Sequence, residues 1–290
     1  MTLSSLPQIS ARRRRTDKLM RGTLLVATLI ALVPLVLIIY YLLKEGLSSW
    51  SKDFFTTDPN GNFFGNPGGI RSAIVGSLLI VGLATLIAIP VGIGVALYLT
   101  EYGKESKFAN LIRYFVDVMT GVPSIMFGLF IYIVLVVSKV GGVGFAAWKG
   151  AIAVALLMLP IVIRSTEVVL LLVPSSLREA ALALGAPRWR VITRVVLPTA
   201  LPGLVTGSLL AIARGMGETA PLLFTVSTAF ALTGNLGAQM NTLPLQIFGD
   251  ITSPRSVVVD RAWGAALTLV VVVLILNVVA RGVASRSRMA

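Results

Sequence analysis

Residues 179–198 read E-A-A-L-A-L-G-A-P-R-W-R-V-I-T-R-V-V-L-P, in a polar gap between two long apolar segments. Ser176 and Glu179 have the spacing of a capping box, which predicts that a helix begins there. Gly185 stands where that helix would end, and Pro187 stands where the next would begin. The first helix has one apolar face, formed by Leu177, Ala180, Ala181 and Leu184. We therefore predict two short amphipathic helices that meet at a glycine.

The composition is that of a polytopic membrane protein. The chain has 290 residues, of which 56% are hydrophobic and only 13% are charged, and its mean hydropathy is +0.90. A soluble domain has about a quarter of its residues charged. The net charge of +13 invites a nucleic-acid partner, but the sequence has no basic patch interleaved with aromatic residues. We therefore expect no nucleic-acid partner.

The missing residue types exclude several kinds of chemistry. The sequence has no cysteine and no histidine, which removes disulfides, metal sites built on those residues and a serine–histidine–aspartate triad. No G-x-x-x-x-G-K-[ST] occurs, so the chain carries no phosphate-binding loop of its own for ATP. A membrane-embedded enzyme is the weakest functional class, and we expect this chain to bind no metal and no cofactor.

Six apolar segments are long enough to cross a bilayer, which needs about twenty residues. They predict an all-α fold with six transmembrane helices, kinked at Pro90 and within Gly215–Pro221. The segments are approximately 22–43, 73–100, 114–137, 150–173, 200–232 and 262–283. The second carries small residues at four-residue spacing, which predicts close packing within the bundle or against a partner subunit. These residues are Ala84, Ala88, Gly92 and Ala96.

Basic residues give the orientation through the positive-inside rule. With the N-terminus in the cytoplasm, sixteen lysines and arginines fall in cytoplasmic segments and seven in external segments. The other two, Arg164 and Arg214, fall inside membrane segments. We therefore expect both termini to be cytoplasmic.

The domain boundaries follow from this orientation. We predict a basic cytoplasmic tail over 1–20 and a transmembrane domain over 21–290, whose cytoplasmic loop is 174–199. The external loop 44–72 is rich in Gly, Asn and Pro, and is either a structured surface for an external partner or a solvated connector. Arg12–Arg15 could belong to a signal peptide, but the apolar run that follows is too long and has no A-x-A-type cleavage site.

Two pairs of opposite charge lie inside predicted membrane segments. Arg164 and Glu167 are three residues apart, and Arg214 and Glu218 are four apart. Each pair would share a helix face. Charges at this depth are costly and usually face a bundle interior or an aqueous cavity. The pairs are either structural ion pairs or the lining of a pathway for a charged substrate, and we favour the pathway. Asp117 is interpreted as an interfacial or capping residue outside the site.

The register of residues 179–198 resembles the EAA loop of the membrane permease subunits of ATP-binding-cassette importers. That loop reads E-A-A, three residues, G, nine residues, I-x-L-P, and here Val195 replaces the usual Ile. The residues in register are Glu179, Ala180, Ala181, Gly185, Leu197 and Pro198. The resemblance implies that the loop docks on an ATPase subunit and passes its motion to the membrane helices. Capping alone would explain Glu179 but not the whole register.

Three further stretches are similar to the phosphate-importing members of that family. They are A-R-G-M-G-E-T-A-P-L-L-F-T at 213–225, G-V-P-S-I-M-F-G-L-F at 121–130, and the P-x-x-I-R-x-x-E pattern at 160–167. The resemblance implies that the intramembrane charges are associated with the phosphate pathway: Arg164, Glu167, Arg214 and Glu218. It disfavours a permease for sulfate or molybdate. A proton-coupled secondary anion transporter would have no use for the EAA-like loop.

The resemblance also implies the rest of the assembly. We expect a MetI-like helix bundle in the bacterial inner membrane that takes up inorganic phosphate by alternating access and makes no covalent bond. The expected partners are a homologous, PstC-like permease subunit, a PstB-like ATPase dimer that holds ATP and Mg, and an extracytoplasmic, PstS-like phosphate-binding protein.

Overall fold

The computed structural model describes residues 11–60, 65–104 and 106–286; residues 1–10 of the predicted tail lie outside it. Helices account for most of the described chain, whose only β-type pairing is one isolated bridge. In chain order the helices are α1 (Ala11–Ser48), α2 (Lys52–Thr56), α3 (Arg71–Leu97), α4 (Lys107–Gly121), α5 (Ser124–Ile131), α6 (Ala147–Leu171), α7 (Ser175–Ala183), α8 (Arg188–Val191), α9 (Leu197–Met216), α10 (Ala220–Thr225), α11 (Leu243–Ile251) and α12 (Ser256–Arg286). π-Helical turns prolong α3 to Tyr102 and α5 to Val137, and a third joins α8 to α9.

The third predicted span, 114–137, is divided between two helices, a break that the sequence analysis did not predict. α4 and the helix that follows it meet at a bend of 104°. Pro123 lacks an amide hydrogen and pushes Val122 into the extended region, at φ −76° and ψ 129°, so α4 ends at Gly121. Within the described residues, five helices are long and apolar enough to cross a membrane, or up to six if the bent pair is one span.

The fifth predicted span, 200–232, is wrong at both ends. The helical segment already begins at Arg188, because α8 runs through the π-helical turn into α9. It ends at Met216, and three non-helical residues separate it from α10. Pro221 explains the break, since in a continuous helix its ring would collide with the carbonyl of Gly217. The kink predicted in this region is confirmed.

α3 and α6 run parallel to each other. Gly92 of α3 lies against Val162 of α6. Arg178 binds the carboxylate of Glu101, one turn beyond the end of α3, and the carbonyl of Leu170, near the end of α6. Parallel neighbours require the chain between them to return across the bundle. The bent pair α4–α5 therefore leads from one end of the bundle to the other.

α9 runs antiparallel to α6, and α12 runs antiparallel to α1. Gly203 packs against Val169 and Gly207 against Ser165. The indole of Trp50, just after α1, donates to a carbonyl near the start of α12. One end of the bundle therefore carries 172–187 together with the start of α1 and the end of α12, and we call it the EAA end. The far end carries the described parts of the loop 49–70, which are 49–60 and 65–70, and the loops 138–146 and 226–242.

The stripe of small residues on α3 packs within the bundle, which was one of its two predicted roles. Ala84, Ala88 and Ala96 are fully buried. A Cβ on Gly92 would come within 2.6 Å of the Val162 side chain, so a larger residue there would push α3 and α6 apart. Pro90 lies inside α3 without ending the helix.

The described parts of the far-end loop, 49–60 and 65–70, are folded and not a solvated connector. It contains α2 and an antiparallel bridge between Pro59 and Gly68. The carboxylate of Asp58 accepts from the Arg71 guanidinium at 2.7 Å, and this hydrogen bond lowers the pKa of Asp58 below its ordinary value. Whether an external partner uses this surface stays a prediction.

Two basic residues that count as external topology signals are bound deep inside the protein. Arg261 is buried in a two-pronged ion pair with Asp250, at 2.7 and 2.8 Å, and also donates to the Pro67 carbonyl of the far-end loop. Lys149 is completely buried and donates to the carbonyls of Leu135, Val143 and Gly144. Both residues fasten loops to the bundle, a role that a count of charges cannot show.

Candidate functional site

Arg214 lies near the middle of the bundle. The next residue, Gly215, packs against Val154 and Met158 of α6. These two residues follow Ala147, the first residue of α6, by seven and eleven positions. At about 1.5 Å per residue, Arg214 lies level with a point about 10–17 Å along α6 from its first residue. A bilayer core is about 30 Å thick. Arg214 therefore lies at mid-height of the bundle, in a helical segment that is long and apolar enough to cross a membrane.

Arg214 forms the predicted ion pair with Glu218, with 2.8 Å between Nη2 and Oε1. The pair does not share a helix face, because Glu218 lies in the break between α9 and α10. The Glu218 side chain is 7% exposed, whereas that of Arg214 is 57% exposed. Of the carboxylates in the described chain, only Glu218 forms an ion pair with Arg214. The protein holds the carboxylate and leaves much of the guanidinium open.

Arg164 has two carboxylate partners. It forms the predicted pair with Glu167, with 2.9 Å between Nη1 and Oε2. Its Nη2 atom binds the carboxylate of Asp117 on α4. Arg164 lies seventeen residues after Ala147, which places it about 26 Å along α6 and towards the EAA end. Asp117, which the sequence interpretation left outside the site, belongs to the same charge network.

Arg113 completes this network from α4. Its Nε donates to the second oxygen of Glu167 at 2.7 Å. Its terminal nitrogens also donate to the carbonyls of Leu99 and Lys104, each at 2.9 Å, and to the Asn110 side chain at 3.2 Å. The sequence interpretation counted Arg113 only as a topology signal. The signal that could have found it is the four-residue spacing of Arg113 and Asp117, which puts opposite charges on one face of α4.

The EAA-like loop differs from its prediction at the start and agrees at the corner. α7 begins at Ser175 after Pro174, with no side-chain cap, so the capping box at Ser176 and Glu179 is wrong. A proline at the N-cap has no side-chain oxygen to accept from the first-turn amides and no amide for a glutamate to bind, so neither half of a capping box can form. Gly185 has φ +79°, and the amides of Gly185 and Ala186 bond back to the helix in the predicted C-cap geometry.

The six coupling candidates divide into packed and exposed residues. Ala181 and Leu197 pack against a buried cluster formed by the ends of α3, α6 and α9. The other four, Glu179, Ala180, Gly185 and Pro198, are exposed. Leu177 and Leu184 on the predicted apolar face of α7 are also exposed. The loop is thus a fixed corner with an open apolar face.

Arg178 ties this corner to the membrane helices. Its guanidinium binds the carbonyls of Leu170 and Val173 at the end of α6, at 2.7 and 2.6 Å. Its Nε also donates to Glu101 at 3.1 Å, in the π-helical turn after α3. A displacement of α7 would therefore pull on α3 and α6 together. The sequence interpretation had counted Arg178 only as a topology signal.

These arrangements set what the site can do chemically. Arginine can bind an oxyanion through two parallel hydrogen bonds, and an adjacent glutamate can accept one from a protonated oxyanion. Among the described residues, no group of three or more His, Cys, Asp and Glu side chains could hold a metal ion. The geometry suits binding and release of an anion.

The family model and the most similar relatives that match this chain are all membrane components of transport systems. The model of the binding-protein-dependent transport system inner membrane component family matches residues 88–287. The phosphate transport system permease protein PstA of Haemophilus influenzae is 42% identical over 270 residues, 93% of this chain and 94% of the relative. The phosphate transport system permease protein PstA 1 of Mycobacterium tuberculosis H37Rv is 37% identical over 286 residues, 97% of this chain and 92% of the relative.

Solved structures of low sequence identity share the fold. A chain of a bacterial alginate ABC transporter, crystallised with an alginate-bound periplasmic protein, has a TM-score of 0.63 and 16% identity over 94% of this chain and 96% of its own. A chain of the MetNI methionine ABC transporter has a TM-score of 0.58 and 19% identity over 76% of this chain and 94% of its own.

Proposed function

The chain belongs to the binding-protein-dependent transport system inner membrane component family, and from that premise we propose that it is the permease subunit of an ATP-driven importer of inorganic phosphate. It resembles phosphate transport permeases over nearly its whole length. The substrate crosses the membrane unchanged, by alternating access of the pathway to either side.

One observation carries the proposal: an intramembrane arginine lies open on the surface of this chain. Arg214 is more than half exposed at the middle of the bundle, beside the buried Glu218. An arginine facing lipid at this depth is costly. This face therefore borders an aqueous pathway, which a homologous, PstC-like permease subunit completes.

The Arg–Glu pairs suit phosphate better than a fully ionised oxyanion. Phosphate near neutral pH keeps at least one proton, whereas sulfate keeps none. Arg214 or Arg164 binds the anionic oxygens, and the neighbouring Glu218 or Glu167 accepts a hydrogen bond from the P–O–H group. The same carboxylate repels sulfate, which supplies discrimination by destabilising the wrong substrate.

The EAA-like loop suits a partner that drives the transport cycle. The open face of α7 docks on a PstB-like ATPase dimer, which binds the ATP and Mg, while this chain binds neither and makes no covalent bond. Gly185 holds the corner rigid, and Arg178 passes its displacement to α3 and α6. The coupling roles of Glu179, Ala180, Ala181, Leu197 and Pro198 are part of this proposal.

The orientation follows from the same assignment. The EAA end faces the cytoplasm, together with both chain termini, and the far end faces a PstS-like extracytoplasmic phosphate-binding protein. The test uses single cysteines in this cysteine-free chain, at the exposed positions Ser176 and Lys52. We expect an impermeant thiol reagent applied outside intact cells to label Lys52→Cys and not Ser176→Cys. The reverse pattern contradicts the orientation.

Two rival functions remain distinguishable. A permease for sulfate or molybdate would share the fold and the EAA-like loop, and it would move those anions faster than phosphate. A proton-coupled secondary anion transporter could use Glu167 and Glu218 as proton carriers, and it would run without ATP.

The deciding experiment is reconstitution of the complete importer in vesicles, with an ATPase variant that works without the binding protein. We expect labelled phosphate to enter only with ATP, faster than sulfate or molybdate, and without need of a proton gradient. Faster sulfate entry overturns the substrate, and entry driven by a proton gradient without ATP overturns the transport class.

A further inference from the structure

Arg164 is already occupied by an anion of the protein itself. Its two Nη atoms bind two carboxylates that come from different helices. Glu167 is on the same helix and its side chain is 8% exposed, whereas Asp117 is on α4 and its side chain is 59% exposed. The guanidinium of Arg164 therefore has one buried carboxylate partner, Glu167, and one exposed carboxylate partner, Asp117.

The two carboxylates are not equally replaceable. Glu167 also receives the Nε of Arg113, whose other donors are held by Leu99 and Lys104. Removing Glu167 from Arg164 would leave a buried carboxylate with less of its charge compensated, which is costly. Asp117 has an exposed side chain that water can solvate when it leaves. An arriving oxyanion would therefore exchange with Asp117 and leave the Arg164–Glu167 bond in place.

We propose that Asp117 is a built-in competitor for phosphate at Arg164, and that phosphate binds there by displacing it. This inference rests on the proposed function. The exchange replaces one anion with another at the same nitrogen, so the charge on the guanidinium stays compensated throughout. It also frees α4 from one of its two ion pairs with α6, because Asp117–Arg164 and Arg113–Glu167 are the two bridges between these helices.

The other arginine has no such competitor. Arg214 pairs only with the buried Glu218 among the described carboxylates, and Glu218 lies next to α9 in the chain. Phosphate can therefore add to Arg214 without displacing an acid, whereas it must exchange at Arg164. Substrate occupancy near the EAA end is thus linked to the position of α4.

A purely structural role for Asp117 makes the opposite prediction. If Asp117 only pins α4 to α6, removing its charge loosens the site and weakens phosphate binding. If Asp117 competes, removing its charge strengthens binding. The sign of the change in phosphate affinity separates the two roles.

The experiment measures protection of the purified complete importer, without binding protein, against thermal unfolding by inorganic phosphate. We expect Asp117→Asn to lower the half-saturating phosphate concentration about two- to fivefold, the range that corresponds to measured exposed ion pairs. Asp117→Glu should stay near the wild-type value, because it keeps the charge. Asp53→Asn removes an exposed carboxylate from α2 at the far end and should change nothing. An unchanged or raised value for Asp117→Asn overturns the proposal.

A second measurement keeps the test open if Asp117→Asn is poorly folded. Val118 on α4 and Val168 on α6 are both exposed, so spin labels on cysteines at these positions report the distance between the helices. Phosphate should broaden or lengthen that distance distribution in a chain that keeps Asp117. An unchanged distribution at saturating phosphate overturns the displacement. If sulfate or molybdate but not phosphate protects the wild-type importer, the proposed substrate fails instead, which is a distinguishable result.

Discussion

The Arg214–Glu218 pair and the Arg164–Glu167 pair have the same residue types and similar spacing, yet the fold gives them different freedom. Arg214 stands at a helix break with one buried partner, and more than half of its side chain is exposed. Arg164 stands inside a continuous helix, shared between Glu167 and Asp117. An arginine's availability to a substrate thus depends on which other helices reach it, and not on the motif that contains it.

Because the two arginines have different partners, the two glutamates have different structural roles. Glu218 restrains one exposed arginine, so its loss would leave little charge uncompensated in the interior. Glu167 joins Arg164 to Arg113 and thereby holds α4 on α6. In the proposed pathway the first pair leaves its arginine open to the substrate, whereas the second pair also holds two helices together.

The largest expected effect comes from removing the open arginine. Arg214→Gln should lower phosphate transport by about 100-fold or more, because two charge-assisted hydrogen bonds worth about 1.5–3 kcal/mol each are lost. The measurement is ATP-dependent uptake by the reconstituted importer at matched protein levels. Arg214→Lys should recover part of the activity, since lysine keeps the charge but not the two-pronged geometry. Normal uptake by Arg214→Gln would make the pair structural.

A smaller effect should separate the two glutamates by stability. Glu167→Gln should destabilise the folded chain by about 3 kcal/mol, the low end for a broken buried ion pair, because Arg113 keeps other acceptors. Glu218→Gln should cost less than about 1 kcal/mol, because its arginine is exposed. Thermal unfolding of the two variants in the same detergent compares them directly. Equal losses would remove the distinction drawn between the pairs.

The corner of the EAA-like loop can be altered while both pairs stay intact. Gly185 has no atom within 4 Å of an added Cβ, so only its positive φ opposes a side chain. Gly185→Val should strain the corner by about 1–2 kcal/mol and reduce transport without preventing membrane insertion. Gly185→Asn should be milder, because asparagine tolerates this conformation better.

A matched control is available for this corner. Gly249 is also exposed with open space around it but has no positive φ, so Gly249→Val should transport normally. Undiminished ATP-dependent uptake by Gly185→Val at equal expression would show that the corner does not transmit motion.

The smallest expected effect concerns selectivity at the open pair. Glu218→Gln replaces the charged acceptor for the P–O–H group with a weaker neutral one and removes the charge that repels sulfate. The ratio of sulfate to phosphate uptake should therefore rise by about three- to tenfold. Uptake of both labelled anions by one vesicle preparation gives the ratio. If the ratio is unchanged while Arg214→Gln still stops transport, the arginine belongs to the pathway and the selection lies in the external binding protein.

The sequence predicted best the features that depend on residues close together in the chain. Gly185 at positive φ follows from its place in the helix pattern, and the break after Met216 follows from the glycines and Pro221. The capping box failed because Ser176 and Glu179 have the right spacing, but the N-cap is Pro174, two residues before Ser176. The break in the third span was missed because the hydropathy of a segment gives its apolar length and not its direction, and Pro123 turns the chain there.

The sequence by itself determined a membrane-spanning helix bundle, the EAA-like corner and the two Arg–Glu pairs, because apolar length, helix period and glycine conformation act between residues close in the chain. Only the tertiary structure decided that Asp117 and Arg113 join Arg164 and Glu167, and that Arg178 binds Glu101. These partners are 47 to 77 residues apart in the chain. A local sequence pattern cannot predict contacts between residues so far apart in the chain, because a guanidinium can pair with any carboxylate that helix packing brings within about 4 Å.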